Sequence, residues 1–438
     1  MTTAREAALR VLERCRRDGA WSAQVLDQLL SSGNLTDRDA ALAARLSLGV
    51  LQNDRYLDFY IDSFCSAPKL EPKLRDILRL GAFQLLLSDR IPAHAAVGES
   101  VALCKASGLS RAAGLVNAVL RRLSENRDRL PEIPGKGTAH YLGVRYSQPD
   151  WLAERLICQR GYDFAEAFFT ACLEPPETDL QINTLKTDAS SYAERLREAD
   201  IRFSVPEYPD NALSVRSGRV AALPGYAEGL FYVQDRAAAM AVEIAAPKPG
   251  MTVLDACAAP GGKSFAAALR MRDEGSILSC DLHGKKLALI ESGAKRLGIT
   301  CIRTAAMDAS VFDASLAEGF DLVIADVPCS GFGVMRKKPE IRRKSEAEVG
   351  ALPAVQARIL DNLARYVRPG GTLLYATCTV LREENEELVS GFLKAHPNFQ
   401  PVDFTVGERR SENGCYTFWP HIDGSDGFFA AKLRRDKA

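Results

Sequence analysis

Two cysteines, Cys329 and Cys378, occupy positions where thiol chemistry is expected. Cys329 lies in the segment ADVPCSGFG (325–333), and Cys378 lies in LLYATCTVLREENE (373–386). Each follows a short apolar run that is typical of a buried parallel strand. The carboxyl ends of such strands meet at one edge of a sheet, where open α/β folds build their sites. We therefore expect both thiols to face one cleft and remain available for chemistry.

A second candidate site begins at Asp255, in the segment DACAAPGGKS (255–264). Small residues let a ligand approach the backbone closely, and the amino terminus of the following helix favours an anionic group. The end of this segment resembles a P-loop, but that motif needs a Gly at position 257, where this chain has Cys, and the dinucleotide fingerprint GxGxxG is also missing. The predicted ligand-binding residues of the turn are Cys257, Ala258, Ala259, Pro260, Gly261, Gly262 and Lys263.

Carboxylates at predicted strand ends indicate the ligand. Asp281 ends the second strand, 26 residues beyond Asp255, where an acid commonly accepts both hydroxyls of a ribose. Asp308 follows the third strand, placed to meet an adenine edge, and Asp326 precedes the Cys329 loop and is assigned to the same site. A ribose, an adenine and a charged amino-acid end together describe S-adenosylmethionine, with S-adenosyl-L-homocysteine as its product. We predict no bound metal.

A repeated strand–loop–helix pattern over residues 236–438 must position these residues. Alternation at this spacing predicts a doubly wound, mostly parallel α/β sheet of the Rossmann-like type. Its predicted strands are 252–256, 276–281, 300–304, 321–326, 372–377 and 427–433.

Two further domains are predicted ahead of that sheet. Residues 1–135 carry apolar residues near a 3.6-residue period, with Thr36 and Asp37 as a helix start, which indicates an all-α bundle. Residues 136–235 mix short strand candidates, such as 180–185 and 229–235, with helical stretches. This pattern predicts a small α+β module of ferredoxin-like or RRM-like type.

Composition limits where the protein acts. The 438 residues include eleven cysteines without a CxxC pair, and the amino terminus lacks an apolar signal segment. No apolar run approaches the roughly 20 residues that span a bilayer. We therefore predict a cytoplasmic protein whose thiols stay reduced, with no membrane partner, and we expect a monomer.

Charge is balanced overall but unevenly distributed. Residues 1–130 hold 19 Lys and Arg against 15 Asp and Glu, and the run 336–344 holds six basic residues and one acid. Such a run is often a solvated face, but beside a reactive thiol a phosphate-binding role is favoured. Arg336, Lys337 and Lys338 are the first-ranked candidates for these phosphate contacts.

Taken together, these motifs resemble those of the RNA cytosine-C5 methyltransferases. The resemblance rests on DACAAPGGK, D-x-PCSG-x-G with its basic run, Y-x-TC-x-x-x-x-EEN and the terminal DGFFAAKL. In residues 37–53, 91–101 and 114–123 the chain resembles a NusB-like RNA-binding helical domain. This combination is similar to the RsmB (Sun) type, which modifies small-subunit (16S) rRNA, and the resemblance implies the subfamily acting at a position-967-type cytosine.

The resemblance also implies a role for each side chain at the site. Cys378 would attack C6 of the cytosine and Cys329 would assist release of the methylated base. Asp326 would bond to the N3 and amino edge, and Lys263 would organise the pocket. Cytosine C5 is a poor nucleophile, so addition of a thiolate to C6 is what allows C5 to accept a methyl group. The target base must be unpaired or flipped out.

The chain departs from the family pattern at three positions. Val327 stands where Ala is more usual, Phe332 where Thr or Leu is, and Gln181 where Arg is. None removes a catalytic group, but Gln181 would lose a phosphate or base contact. Two alternatives stay open: a non-catalytic NusB-like RNA-binding or transcription factor, for which neither thiol would matter, and a P-loop-like nucleotide hydrolase.

Overall fold

A computed structural model describes residues 3–31, 35–216 and 220–437. The chain groups into two compact units. The first comprises Met1–Glu174 together with Met335–Glu346, and the second comprises Pro175–Val334 together with Ala347–Ala438. The first unit thus includes a segment that follows the Cys329 loop in the chain.

The first unit is helical, as predicted for its amino-terminal part. Thr3 caps the first helix in a capping box with Glu6, and Thr36 accepts a hydrogen bond from the backbone of Asp39 at the predicted start of another helix. Apolar residues at helical spacing, such as Leu46, form its core. Its helices are α1 (Ala4–Asp18), α2 (Ser22–Ser31), α3 (Asp37–Gln52), α4 (Asp54–Phe64), α5 (Pro72–Leu86), α6 (Ala93–Ala106), α7 (Ala113–Glu125), α8 (Ala139–Arg145), α9 (Asp150–Arg160) and α10 (Tyr162–Ala171).

The segment Met335–Glu346 packs onto these helices. Arg342 is buried and donates to the carbonyl oxygens of Met335 at 2.8 Å and Cys172 at 3.0 Å. Arg343 pairs with Asp54 at 3.3 Å. These bonds satisfy the two terminal nitrogens of the buried Arg342 guanidinium, and together with the Arg343–Asp54 pair they anchor the segment in the helical unit.

The second unit begins with a small antiparallel sheet of order β2-β3-β1-β4 and one helix. Leu180, Tyr192 and Phe231 lie in its core. The predicted α+β module is confirmed. Gln181 is buried in this sheet and donates to the carbonyl oxygen of Gln234 at 3.0 Å. The elements are β1 (Thr178–Ile182), α11 (Ala189–Glu198), β2 (Phe203–Ser204), β3 (Ala212–Val215) and β4 (Phe231–Val233).

The remainder of the unit is a large mixed sheet of order β10-β14-β9-β8-β5-β6-β7, with β13 paired to β14. The strands from β9 to β7 are parallel, and β14 runs antiparallel to β9. The elements are α12 (Arg236–Ala245), β5 (Thr252–Asp255), α13 (Gly262–Arg270), β6 (Ser276–Asp281), α14 (Gly284–Leu297), β7 (Ile302–Ala306), β8 (Phe320–Asp326), α15 (Glu346–Gly350), α16 (Leu352–Ala364), β9 (Val367–Thr377), α17 (Glu386–Ala395), β10 (Phe399–Pro401), β11 (Thr405–Val406), β12 (Arg409–Arg410), β13 (Cys415–Phe418), α18 (Pro420–Asp423) and β14 (Phe428–Arg435).

The predicted doubly wound sheet is confirmed, with shifts at strand ends. The third strand lies at Ile302–Ala306, two residues later than predicted, and β9 begins at Val367 because its pairing with β8 continues across an irregularity near Phe320. Asp255, Asp281 and Asp326 are the last residues of their parallel strands. They therefore share the carboxyl edge of the sheet.

Candidate active site

The turn between β5 and α13 is built around Asp255 and Gly261. Gly261 has φ +113°, and an added Cβ would meet the ring of Phe265, so Gly is required there. Ser264 donates to Asp255 at 2.7 Å and is 2.7 Å from Ser279. Burial raises the pKa of Asp255 to about 7, which the Ser264 hydrogen bond and the Lys263 charge offset only in part. This carboxyl group is poised to hold a proton.

The other two predicted strand-end acids differ in setting. Asp281 is largely buried and accepts from the backbone of His283 at 2.9 Å. Asp308 lies in the loop after β7 and accepts from the backbone of Ser310 at 2.9 Å and from its hydroxyl at 2.7 Å, which lowers the pKa of Asp308. Asp281 extends the edge formed by the strand ends, while Asp308 stabilises its own turn.

Lys263 and Asp326 form an ion pair at the same sheet edge as the thiols. The Lys263 ammonium lies 2.5 Å from a carboxylate oxygen of Asp326 and 4.9 Å from the ring centre of Phe428. Burial alone would lower the pKa of Lys263, but Asp326 outweighs it and raises that pKa. The pair brings together a side chain of α13, the end of β8 and the start of β14. Sequence reasoning missed Phe428, although it lies in the quoted terminal motif.

The two thiols are in contact. The sulfur atoms of Cys329 and Cys378 are 3.2 Å apart, and both side chains are half-buried. The hydrogen bond with Cys378 raises the pKa of Cys329 most, and burial and the carboxylates of Glu384 and Asp326 raise it further. The two thiols therefore meet at one edge of the sheet, and the raised pKa of Cys329 favours its thiol form.

Gly333 fixes the loop that carries Cys329. Its N–H donates to the Cys378 carbonyl at 3.0 Å, and its carbonyl accepts from Gly427 at 2.9 Å. An added Cβ at Gly333 would collide with the Gly427 carbonyl. The Cys329 loop, the Cys378 loop and the terminal motif are therefore joined by backbone contacts that side chains larger than hydrogen would break.

The basic run 336–344 lies in the helical unit, and its cations differ in how far they are exposed to solvent. Arg342 is buried, so it is unable to reach a phosphate. Gln52 donates to the carbonyl of Arg336 at 3.1 Å, and the Lys338 ammonium lies 5.6 Å from the ring centre of Trp21. Lys338 is exposed, while Arg336 and Lys337 are half-buried. These three cations, first-ranked from the sequence, are the accessible part of the run's first half.

Two features are absent within the described ranges. In residues 3–31, 35–216 and 220–437 no group of three or more His, Cys, Asp or Glu side chains is arranged to hold a metal ion. Among the same residues, no helix has the length and apolarity needed to cross a membrane.

The sheet order and the residues at its carboxyl edge define the class of protein. A parallel β9-β8-β5-β6-β7 core with antiparallel β14 beside β9, a small-residue turn after β5 and an acid ending β6 form a Rossmann-like domain of the class I S-adenosylmethionine-dependent methyltransferases.

Comparison with known proteins identifies the family. Residues 242–434 match the model of the 16S rRNA methyltransferases RsmB/F, residues 2–125 match the NusB family, and residues 148–220 match the ferredoxin-like domain of RsmF/B-like methyltransferases. The chain is 34% identical to the probable ribosomal RNA small subunit methyltransferase B of Bacillus subtilis, over 99% of both chains. It is also 34% identical to the probable ribosomal RNA small subunit methyltransferase B of Synechocystis, over 99% of this chain and 100% of that relative.

A solved structure covers the same extent. The crystal structure of PH0851 superposes with a TM-score of 0.82 and 26% identity, over 98% of each chain. The chain belongs to the RsmB/F family of 16S rRNA methyltransferases.

Proposed function

We propose that this protein methylates C5 of a cytosine in small-subunit rRNA, with S-adenosylmethionine as the methyl donor and Cys378 as the nucleophile. The observation that carries the proposal is the 3.2 Å contact between the Cys329 and Cys378 sulfur atoms at the carboxyl edge of the sheet. Two thiols in one cleft suit a reaction in which a covalent bond to the base is formed and then broken.

The residues at this edge fit S-adenosylmethionine. The amino terminus of α13 has no side-chain cap at Gly261, so its backbone N–H groups remain available for the carboxylate of the donor. We assign Asp281, at the carboxyl end of β6, to the ribose hydroxyls. The proposed contacts are Cys257, Ala258, Ala259, Pro260, Gly261, Gly262, Lys263, Asp281, Asp308 and Asp326. When bound, the donor supplies an electrophilic methyl group on a sulfonium sulfur.

The side chains of the chain then have separate tasks. The Cys378 thiolate adds to C6 of the cytosine, which moves electron density to C5. Asp326, oriented by Lys263 at 2.5 Å, bonds to the N3 and amino edge and supports protonation at N3 as the adduct forms. After C5 is methylated, water takes up the C5 proton, the C5–C6 double bond re-forms with departure of the Cys378 thiolate, and N3 gives up its proton through Asp326. Cys329, in contact with that sulfur, assists this release.

Further features of the substrate belong to the same proposal. The family supports small-subunit rRNA as the partner, and we propose a position-967-type cytosine presented unpaired or flipped. Arg336, Lys337 and Lys338 are proposed phosphate contacts. We also propose that the chain forms three domains, at 1–135, 136–235 and 236–438, and that the protein is a cytoplasmic monomer.

The direct test is transfer of a labelled methyl group to undermodified small-subunit rRNA, with the product nucleoside identified by mass spectrometry. We expect 5-methylcytidine from the wild-type protein. Cys378→Ala should give neither product nor adduct, whereas Cys329→Ala should accumulate a covalent protein–RNA adduct. RNA binding without methyl transfer would refute the enzyme assignment and favour a non-catalytic RNA-binding factor. An adduct in Cys378→Ala would refute the choice of nucleophile.

A further inference from the structure

A buried carboxylate lies behind the Cys329 loop. Glu384, in the motif after Cys378, is fully buried. One of its oxygens accepts from the backbone N–H of Ser330 at 2.8 Å and from the side-chain amide of Gln356 at 2.8 Å. The same amide of Gln356 donates to the carbonyl of Pro328 at 3.0 Å. The two residues that flank Cys329 are thus both held by one Glu–Gln pair.

The next residue, Asn385, holds the other cysteine loop in the same way. Its side chain accepts from the hydroxyl of Thr377 at 2.6 Å and donates to the carbonyl of Thr379 at 3.0 Å. The residues that flank Cys378 are therefore both fixed by Asn385. The adjacent positions 384 and 385 therefore each hold one of the two cysteine loops.

Glu384 is an acidic side chain that is fully buried, which is rare in proteins without a cation partner. No Lys or Arg of the described residues forms an ion pair with it, and its second oxygen is buried without a hydrogen-bond partner. A glutamine at this position would make the same contact with the Ser330 N–H, so that hydrogen bond alone does not require an acid. The group beside this charge is Cys329, whose pKa Glu384 helps to raise, after the hydrogen bond with Cys378 and burial.

We propose that Glu384, supported by Gln356, is a positioning residue for Cys329: it fixes the Cys329 loop against Cys378 and makes Cys329 the less reactive thiol, so that only Cys378 acts as the nucleophile. This inference deepens the proposed function and rests on its assignment of the two thiols. Glu384 itself is not required to touch the base.

The test measures thiol reactivity without RNA or methyl donor, so it does not depend on turnover. Iodoacetamide labelling of the full-length protein is followed by peptide mass spectrometry from pH 6 to 10, with initial rates normalised to the exposed Cys158. In Glu384→Gln we expect Cys329 to react at least about fivefold faster at pH 8, because a lower thiol pKa increases the fraction of reactive thiolate. Its pH profile should move to lower pH. The exposed Glu387 on α17 supplies the matched control, Glu387→Gln, which should leave both rates unchanged.

Gln356→Met is the second variant, because it removes the amide that orients Glu384 while keeping a side chain of similar size. Unchanged Cys329 labelling in folded Glu384→Gln would overturn the proposal, as would unfolding of both variants, which would assign Glu384 to the core alone. If the methyl-transfer test fails while the labelling shift occurs, the proposed function falls and the positioning of Cys329 stands. If turnover is seen without a labelling shift, the reverse holds.

Discussion

Asp255 offers a quantitative test of the electrostatics at the sheet edge. It is fully buried at the end of β5, and only one of its oxygens has a hydrogen-bond partner, the hydroxyl of Ser264. Burial raises the pKa of this carboxyl from 3.8 to about 7. The folded protein therefore binds a proton that the unfolded chain releases, and its stability is greatest below the unfolded value and falls as pH rises towards 7.

The size of the effect follows from the folded and unfolded pKa values of Asp255. A pKa difference of one corresponds to about 1.4 kcal/mol, so the full cost of an ionised Asp255 approaches roughly 4 kcal/mol. Between pH 5 and pH 9 the linkage relation gives a loss of about 3 kcal/mol from this residue. Asp255→Asn removes the titration, because an amide keeps the Ser264 contact and has no proton to lose in this range. Its stability relative to wild type should rise by that amount from pH 5 to pH 9.

The assay is urea unfolding at fixed pH, observed in the second unit alone. The chain has three tryptophans, Trp21, Trp151 and Trp419. Trp21→Phe and Trp151→Phe leave Trp419 as the reporter. Asp308→Asn is the control: its hydrogen bonds lower the pKa of Asp308, so it stays ionised throughout and the variant should run parallel to wild type. A constant difference between Asp255→Asn and wild type across this range would show that Asp255 is ionised in the fold.

Three further predictions concern the proposed site. Asp281→Asn should weaken S-adenosylmethionine binding about thirtyfold, from the loss of roughly 2 kcal/mol of charge-assisted hydrogen bonding; calorimetry measures this, and unchanged affinity would remove Asp281 from the site. Gly333→Ala should slow methyl transfer more than tenfold at retained donor affinity, since the new methyl group meets backbone of Gly427 and Cys378, whereas Gly350→Ala, with open space around it, should not. Arg336→Ala should reduce the slope of log affinity against log salt for RNA by about 0.7 to 0.9; an equal reduction in Lys394→Ala would show that the effect is not local.

Much of the sheet and the placement of its strand-end residues could be predicted from the sequence. Short apolar runs located β8, predicted at 321–326 and observed at Phe320–Asp326, because a buried parallel strand carries a continuous apolar signal. The shared edge for Cys329 and Cys378 followed from the same topology. The 3.2 Å distance between their sulfur atoms could not be predicted. The two loops are held by side-chain contacts of Glu384 and Asn385, and an acid followed by an amide indicates only a polar loop in the sequence.

The basic run shows a second limit of sequence reasoning. Its charge pattern predicted phosphate contacts, yet Arg342 is buried and bonded to backbone carbonyls within the helical unit. Charge density along the sequence does not reveal which cations form structural contacts within the protein. Gln181 is a second polar residue that makes a structural contact. Its side-chain amide donates to the carbonyl oxygen of Gln234, 53 residues further along the chain.

The segment Met335–Glu346 has a consequence for the order in which the protein is made. The helical unit leaves off at Glu174 and regains this segment only after the 160 residues from Pro175 to Val334 have been synthesised. At about 5 to 20 residues per second, translation of that stretch takes about 8 to 32 s. Throughout this time Asp54 on α4 lacks its ion pair with Arg343, and the carbonyl of Cys172 after α10 lacks its hydrogen bond from Arg342. A single cleavage of the chain therefore cannot release either unit intact. The helical unit can be completed only after the Cys329 loop has been synthesised.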